Sequence, residues 1–391
     1  MGSVLYIGGF ELPDKNAAAH HVLNNAKIFT HLGYDVYFSG INTELEWENV
    51  GVIENISGYQ SCPRPYPKNN KQWICDMVDF SRIKNIIDSI PNIKCIIAYN
   101  MHAIPLANLV KYSKKLKIKV ISNLTEWYEN HLSLNIGETI RCIDNYLAMH
   151  FIHKKVDGMM VVSSYLYNYY KKDVKNILIM PPLVDVYDPK WKYKYSIESE
   201  KIEFVYAGGI EKGNKKDRLC PILKSFNKIE SNYFHFNIVG LTEERLLSEF
   251  PEMETVLKQL GNKVTFFGRV SHAKSIRFLL ESDYSIFIRE KTRKNNAGFP
   301  TKFVESWTSG INIIASNVSD IENYLPSVGN NYLLEVNDDC EIERVIQSAL
   351  TKDIIELRNN RRMGTQNNPF CIDEWYEKVG QFFKNMNIGR K

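Results

Sequence analysis

Short runs rich in β-branched and aromatic residues alternate with longer stretches of helical period, and the alternation starts twice along the chain. The first series places strands at 4–7, 35–39, 95–99, 120–122 and 158–162, with helical stretches at 17–32, 83–90, 104–116, 140–154 and 165–172 between them. A second series places strands at 204–207, 236–239, 264–267, 284–288 and 313–315, separated by helical stretches at 218–229, 242–260, 273–281, 302–309 and 340–357. Strand–helix–strand alternation is the mark of a parallel sheet covered on both faces. The segment 186–201, charged and aromatic with one proline and no period, reads as the linker. The expectation is an α/β chain of two tandem Rossmann-like doubly wound domains, 1–187 and 188–371. A final helical stretch, 372–391, carries apolar residues that would pack back across the domains. The length of 391 residues suits two domains, each with its own core.

Composition narrows the function classes. Lys and Arg number 49 against 45 Asp and Glu, a net charge of +4, so nucleic acid is not an expected partner. Seven scattered cysteines, without a C-x-x-C pair, indicate neither a disulfide framework nor a zinc site and fit a reducing compartment. No signal peptide is read in the opening residues, and no apolar stretch approaches membrane-spanning length. Cytoplasmic location is the expectation. The charge is uneven, however: residues 92–180 hold 12 basic against 6 acidic side chains, and residues 1–91 hold 7 against 10. A basic patch on the first domain would dock the protein peripherally on an anionic membrane surface, and the alternative is a solvated face.

In open parallel sheets ligands bind at the carboxyl ends of the strands, and two such sheets would form one cleft suited to two substrates. Gly208 and Gly209 follow a strand and precede Lys212, Lys215, Lys216 and Arg218. Freed backbone amides, a helix start and ammonium groups suit a diphosphate; the same residues would also serve a plain tight turn. After the strand at 284–288 come Arg289 and then Gly298, Phe299, Pro300, Thr301, Lys302 and Glu305. Here Thr301 is the expected N-cap, Lys302 a phosphate partner, and Glu305 an acceptor-only carboxylate for a ribose diol. In the first domain Gly8, Gly9 and Phe10 follow the opening strand, with Asn16 near the next helix. Glu126 and His102 each follow a strand end, where catalytic groups of such folds sit. His20 and His21 have no Cys or carboxylate at ligand spacing, and no Asp-x-Asp occurs, so no metal is expected.

The runs YAGG, KKDRLCPILKSF, FFGRVSHAKSIRFLLESDYSIFIR and AGFPTKFVESWTSGINIIASNVSD resemble the donor domain of family-4 glycosyltransferases of the GT-B fold, in particular bacterial cell-surface polysaccharide members. TEWY at 125–128 matches the same bacterial subgroup at a place where other members carry a histidine. The resemblance implies transfer of a sugar from a nucleotide diphosphate sugar to a glycan or lipid-linked acceptor, with retention and without a divalent metal or other cofactor. It implies donor binding by Gly208, Gly209, Lys216, Arg269, Val270, Arg289, Gly298, Phe299, Pro300, Thr301, Lys302 and Glu305. Acceptor binding falls to Gly8, Gly9, Phe10, Asn16 and Glu126, and catalysis to Glu126, His102 and Lys216. The family's Glu-x7-Glu signature falls on Ala297 and Glu305, so its first carboxylate is missing, with Lys302 or Arg289 as substitutes. A nucleotide-sugar epimerase of the same architecture and a non-catalytic nucleotide-sugar-binding subunit are the alternatives. A dinucleotide oxidoreductase is disfavoured because no complete G-x-G-x-x-G opens either half.

Overall fold

The computed structural model describes residues 2–13, 15–48, 53–127, 135–192, 198–210, 217–326, 329–335 and 338–389. The chain forms two compact units. One comprises 1–183, 297–299 and 372–391, the other 184–296 and 300–371. Three residues that the sequence assigns to the second domain, 297–299, thus count with the first unit, as does the closing segment.

In the first unit the strands are Gly2–Gly8 (β1), Tyr34–Ser39 (β2), Ile41–Asn42 (β3), Glu54–Ile56 (β4), Tyr59–Ser61 (β5), Arg64–Pro65 (β6), Ile93–Tyr99 (β7), Lys119–Leu124 (β8), Gly158–Val161 (β9) and Ile177–Ile179 (β10). Eight of them form one sheet in the order β10-β9-β8-β7-β1-β2-β5-β4, and β3 pairs with β6 beside it. All its neighbours run parallel except β4 with β5. Every residue of β1 and of β9 is buried, the pattern of strands covered on both faces. The chain leaves β1 toward β2 on one side and returns as β7 on the other, so the topological switch lies between β1 and β7.

The core of this unit includes the closing segment, whose Trp375, Val379, Phe382 and Phe383 join Tyr6, Phe29 and Phe38. Phe383 stacks on Phe29 at 5.4 Å, and the Tyr34 hydroxyl donates to the Ile388 carbonyl at 3.0 Å. That closing helix, Tyr376–Asn385, therefore belongs to the first unit's own core.

The second unit holds Ile202–Ala207 (β11), Phe234–Val239 (β12), Val264–Phe266 (β13), Tyr284–Phe287 (β14), Asn312–Ser316 (β15) and Tyr332–Leu334 (β16). They form an all-parallel sheet ordered β13-β12-β11-β14-β15-β16, with its switch between β11 and β14. Phe204, Phe226, Phe234 and Phe236 pack one covered face. Two expected helices are broken: 242–260 divides into Glu243–Glu249 and Glu254–Leu260 at Pro251, and 340–357 into Asp339–Leu350 and Ile354–Asn359. Proline has no N–H to continue a helix, and Asp353 starts a fresh one by capping the Glu356 amide.

Candidate active site

At the switch of the second unit, β11 is followed by Gly208 with φ +153°. A Cβ there would fall inside the Cε and Nζ atoms of Lys302, so the missing side chain lets that ammonium lie against the backbone. Gly240 follows β12 at φ +96°, and a Cβ on it would meet the Gly208 carbonyl carbon at 3.0 Å. The Gly240 amide donates to the Gly268 carbonyl at 2.7 Å. Three strand ends are thus closed by glycines in mutual contact, which lets backbone rather than side chains form this edge.

Lys302 stands in the first turn of helix Thr301–Ser309, above the Tyr206 ring at 3.9 Å, and ion-pairs with Asp217. Arg289 Nε donates to the other carboxylate oxygen of Asp217 at 2.6 Å, and the Tyr206 hydroxyl lies 3.0 Å from the first. Asp217 is 4% exposed as a side chain and Arg289 8%. Burial alone would raise the Asp217 pKa; the Arg289 and Lys302 charges outweigh it and hold the carboxyl well below the usual carboxylate range. Among the described residues, Arg289 and Lys302 both face Asp217 at this sheet edge. Glu305 accepts from or pairs with His272 Nε2 at 2.9 Å, and His272 opens helix His272–Leu280 directly after the Arg269–Ser271 turn. Arg269 is exposed and Val270 partly so.

Lys216, with Lys212 and Lys215, lies outside the described residues. Thr301 does not cap: it is already helical, and Pro300, which has no capping side chain, occupies the N-cap position. Ala297 is fully buried, and its carbonyl accepts from Ser163 Oγ at 2.7 Å within the first unit. Phe299 is likewise buried.

At the switch of the first unit, Gly8 packs on β7 so closely that a Cβ would collide with the Tyr99 carbonyl oxygen, whereas Gly9 faces open space. Phe10, expected to touch an acceptor, is instead fully buried, edge-on to Tyr6, Phe38 and Tyr99. A large apolar ring turns inward whenever the sheet offers an aromatic seat. Asn16, also expected at the acceptor, is the N-cap of helix Ala17–His31, its side chain accepting from the Ala19 amide at 2.9 Å.

His102 is the residue before helix Ala103–Leu116, and its Nδ1 lies 2.6 Å from Asp144 Oδ2. The other Asp144 oxygen accepts from the Ala103 amide at 2.9 Å, which fixes the carboxylate. With Nδ1 as donor, Nε2 carries the lone pair on a side chain that is 37% exposed, the arrangement that orients an imidazole for proton or hydrogen-bond acceptance. Trp73 stands edge-on to this ring at 6.2 Å. Glu126 is half-buried past the end of β8, after Thr125, which Asn100 clamps at 2.7 and 3.1 Å. Burial pushes the neighbouring Tyr99 hydroxyl up to about 12, with the Glu126 charge adding. His21 is buried in a polar cluster with Asn25, Asn123 and Tyr6, its Nε2 2.9 Å from Asn123 Oδ1. Among the described residues no group of three His, Cys, Asp or Glu side chains could hold a metal ion.

Sequence reasoning missed Asp217, Asp144, His272 and the glycines at 240 and 268. The glycines had a signal, each following a β-rich run; the two aspartates sat inside ordinary charged helical text.

Two Rossmann-like units of this strand order form the GT-B architecture, the fold of many glycosyltransferases. Residues 188–367 match the sequence model of the family described as "Glycosyl transferases group 1". Solved structures agree in fold. Sucrose-phosphate synthase from Thermosynechococcus elongatus superposes with a TM-score of 0.73 at 14% identity, covering 99% of each chain. The catalytic domain of starch synthase IV from Arabidopsis thaliana, bound to ADP and acarbose, gives 0.71 at 12% identity, also over 99% of each. HepE from Anabaena, in complex with UDP and glucose, gives 0.67 at 12% identity, covering 98% of this chain and 100% of that one. No curated protein matches significantly by sequence.

Proposed function

We propose that this glycosyltransferase moves a sugar from a nucleotide diphosphate sugar to a glycan or lipid-linked acceptor in bacterial surface polysaccharide biosynthesis, with retention of configuration and without a metal. The observation that carries the donor half is the Lys302–Asp217–Arg289 cluster against Gly208. Negative charge grows on the leaving diphosphate as the glycosidic bond breaks, so cations and amides already fixed at that place stabilise the transition state without reorganising. Asp217 supplies the fixing: it holds both cations in position. Glu305, steadied by His272, would accept the ribose hydroxyls. Complexes of structural neighbours with UDP, UDP-glucose and ADP support nucleotide diphosphate chemistry at this edge. In the first unit His102 Nε2 would hydrogen-bond the acceptor hydroxyl, and Glu126, whose charge acts on Tyr99, would contribute at the same strand edge.

Ala297 in place of a carboxylate leaves the transferred sugar to be held by Arg289 or Lys302. The deciding experiment is a screen of UDP-, GDP- and dTDP-sugars by thermal shift, followed by nucleotide release with and without acceptor. A ligand at 100 times its dissociation constant adds about 2.7 kcal/mol of apparent stability, easily read. Interconversion of free nucleotide sugars without acceptor would replace transfer by epimerisation, and binding without turnover would make the chain a binding subunit.

A peripheral membrane position has its own support. No helix among the described residues is long and apolar enough to cross a membrane. Helix Ile136–Leu147 buries no residue and exposes Ile136, Ile143, Tyr146 and Leu147, followed by exposed Phe151. Arg141 and Lys155 are exposed on and beyond it, within the basic segment. An apolar stripe edged by cations matches an anionic leaflet, which would bring the acceptor edge to a lipid-linked substrate.

A further inference from the structure

Arg64 lies in β6 with its side chain only 12% exposed, yet it is poorly paired. One N–H of its fork donates to the Gly8 carbonyl at 3.2 Å. Its nearest carboxylate, Asp76, is 3.7 Å from Nη1, beyond hydrogen-bond reach, and Nε is buried without a partner. The acid of the same loop does not serve it, since Glu11 accepts from Thr43 Oγ1 at 2.7 Å and from Lys15 at 3.1 Å. Burial lowers the guanidinium pKa, and Asp76 offsets this only in part. A guanidinium held this deep with donors unused is costly unless a further oxyanion completes it.

Its surroundings say which molecule would bring that oxyanion. Arg64 touches Gly8, one residue from the open face at Gly9. Asp76 and Trp73 lie one turn apart on helix Asn70–Val78, and Trp73 stands against His102 while Arg141 covers its ring at 4.3 Å. The under-paired cation and the histidine assigned to the acceptor hydroxyl thus flank one helix.

We infer that Arg64 is the anion-recognition residue of the acceptor site, so that the acceptor carries a phosphate or carboxylate group. The inference rests on the proposed transfer reaction for the word acceptor, but the anion site itself is tested without turnover. A planar fork takes either oxyanion bidentately, and Asp76 acts as the weak internal counter-ion that the ligand replaces.

The test is thermal-shift titration of the full-length chain with inorganic phosphate and with acetate, carried in a Lys302→Ala background so that the second unit's cation is removed. A stabilising response to either anion is expected, and Arg64→Gln should abolish it. Asp76→Asn should tighten the apparent dissociation constant severalfold by removing the competing carboxylate. A merely structural pair predicts the reverse, because removing either partner would only loosen the fold; if Arg64→Gln does not fold, the direction of the Asp76→Asn change decides. Phosphatidylcholine vesicles with and without phosphatidate separate the sources: Arg64-dependent binding to phosphatidate vesicles alone means a lipid-carried phosphate, and a response to soluble anion means a free one. No Arg64-dependent response to phosphate, acetate or phosphatidate overturns the inference. Donor-induced stabilisation of the Lys302-containing chain is read separately, so loss of the donor reading and loss of this one are distinct results.

Discussion

At the carboxyl edge of the second unit the charges are fastened to one another: buried Asp217 takes buried Arg289 on one oxygen and partly buried Lys302 on the other, with Lys302 against Gly208. At the matching edge of the first unit the polar groups are spread out, with His102 held at one nitrogen and Arg64 held by one carbonyl. Both edges descend from the same strand order around their first strand, and both put a glycine where that strand ends. The difference is therefore not topological. On the proposed reading, a site that always meets the same diphosphate gains from cations fixed in advance, whereas a site for a particular acceptor keeps donors and acceptors open for a ligand to complete.

The comparison breaks most readily at Lys302. Lys302→Ala should lower turnover by about 10²–10³, the effect of losing one preorganised transition-state partner, while circular dichroism remains near wild type. An unchanged kcat at saturating donor would mean that the fastened cluster is merely structural.

Acid acts on the first unit through two buried histidines. His21 and His153 of the first unit are buried, and burial brings each to a pKa of about 4. In the second unit His235 and His272 stand beside Glu203 and Glu305. The unfolded chain binds protons at an ordinary histidine pKa near 6.5, above the folded value, so stability is complete above that pH and falls as pH drops from about 6.5 toward 4. Each buried histidine is worth about 3 kcal/mol over that window. Hydrogen exchange at pH 5 should show the strands of the first unit opening before those of the second. Equal acid sensitivity of the two sheets would remove the distinction.

Much of this was legible in the chain itself, and the limits are instructive. The parallel sheets were readable because strands buried on both faces are continuous apolar runs, as in β1 and β14. Gly208, Arg289, Lys302 and Glu305 were readable as a set because the strand ends bring loops to one edge. Asp217 was not, since a carboxylate in a lysine-rich run reads as part of a solvated charge pattern until Arg289, 72 residues away, is seen on it. Helix Asn70–Val78 escaped for another reason: it buries only Met77, so it carries no apolar stripe. Phe10 packs and Asn16 caps, since a loop after a strand can spend its residues on both.

Asp144→Asn gives a smaller effect and probes the first edge alone. An amide cannot hold the imidazole tautomer as a carboxylate does, so kcat should fall roughly 10–100-fold with donor KM unchanged. The pH–rate profile should shift as well, which a loss of the Ala103 cap alone would not produce, since the asparagine can still cap. A rise in donor KM at constant kcat would assign the pair to folding rather than to the acceptor.

The smallest expected effect concerns the helix beside that edge. Ile143 is 51% exposed on the bare face of Ile136–Leu147, so about half of its side chain is available to a bilayer. At about 25 cal/mol per Å² that surface is worth roughly 1 kcal/mol, or about fivefold in partitioning. Ile143→Ser should weaken co-sedimentation with anionic vesicles by that factor and leave soluble turnover intact. High salt should release both proteins, because the basic excess of residues 92–180 is screened beyond about 10 Å at 0.1 M. Equal binding of wild type and variant, or wild-type binding that ignores lipid charge, would leave the apolar face without a membrane role and reduce the basic segment to a solvated surface.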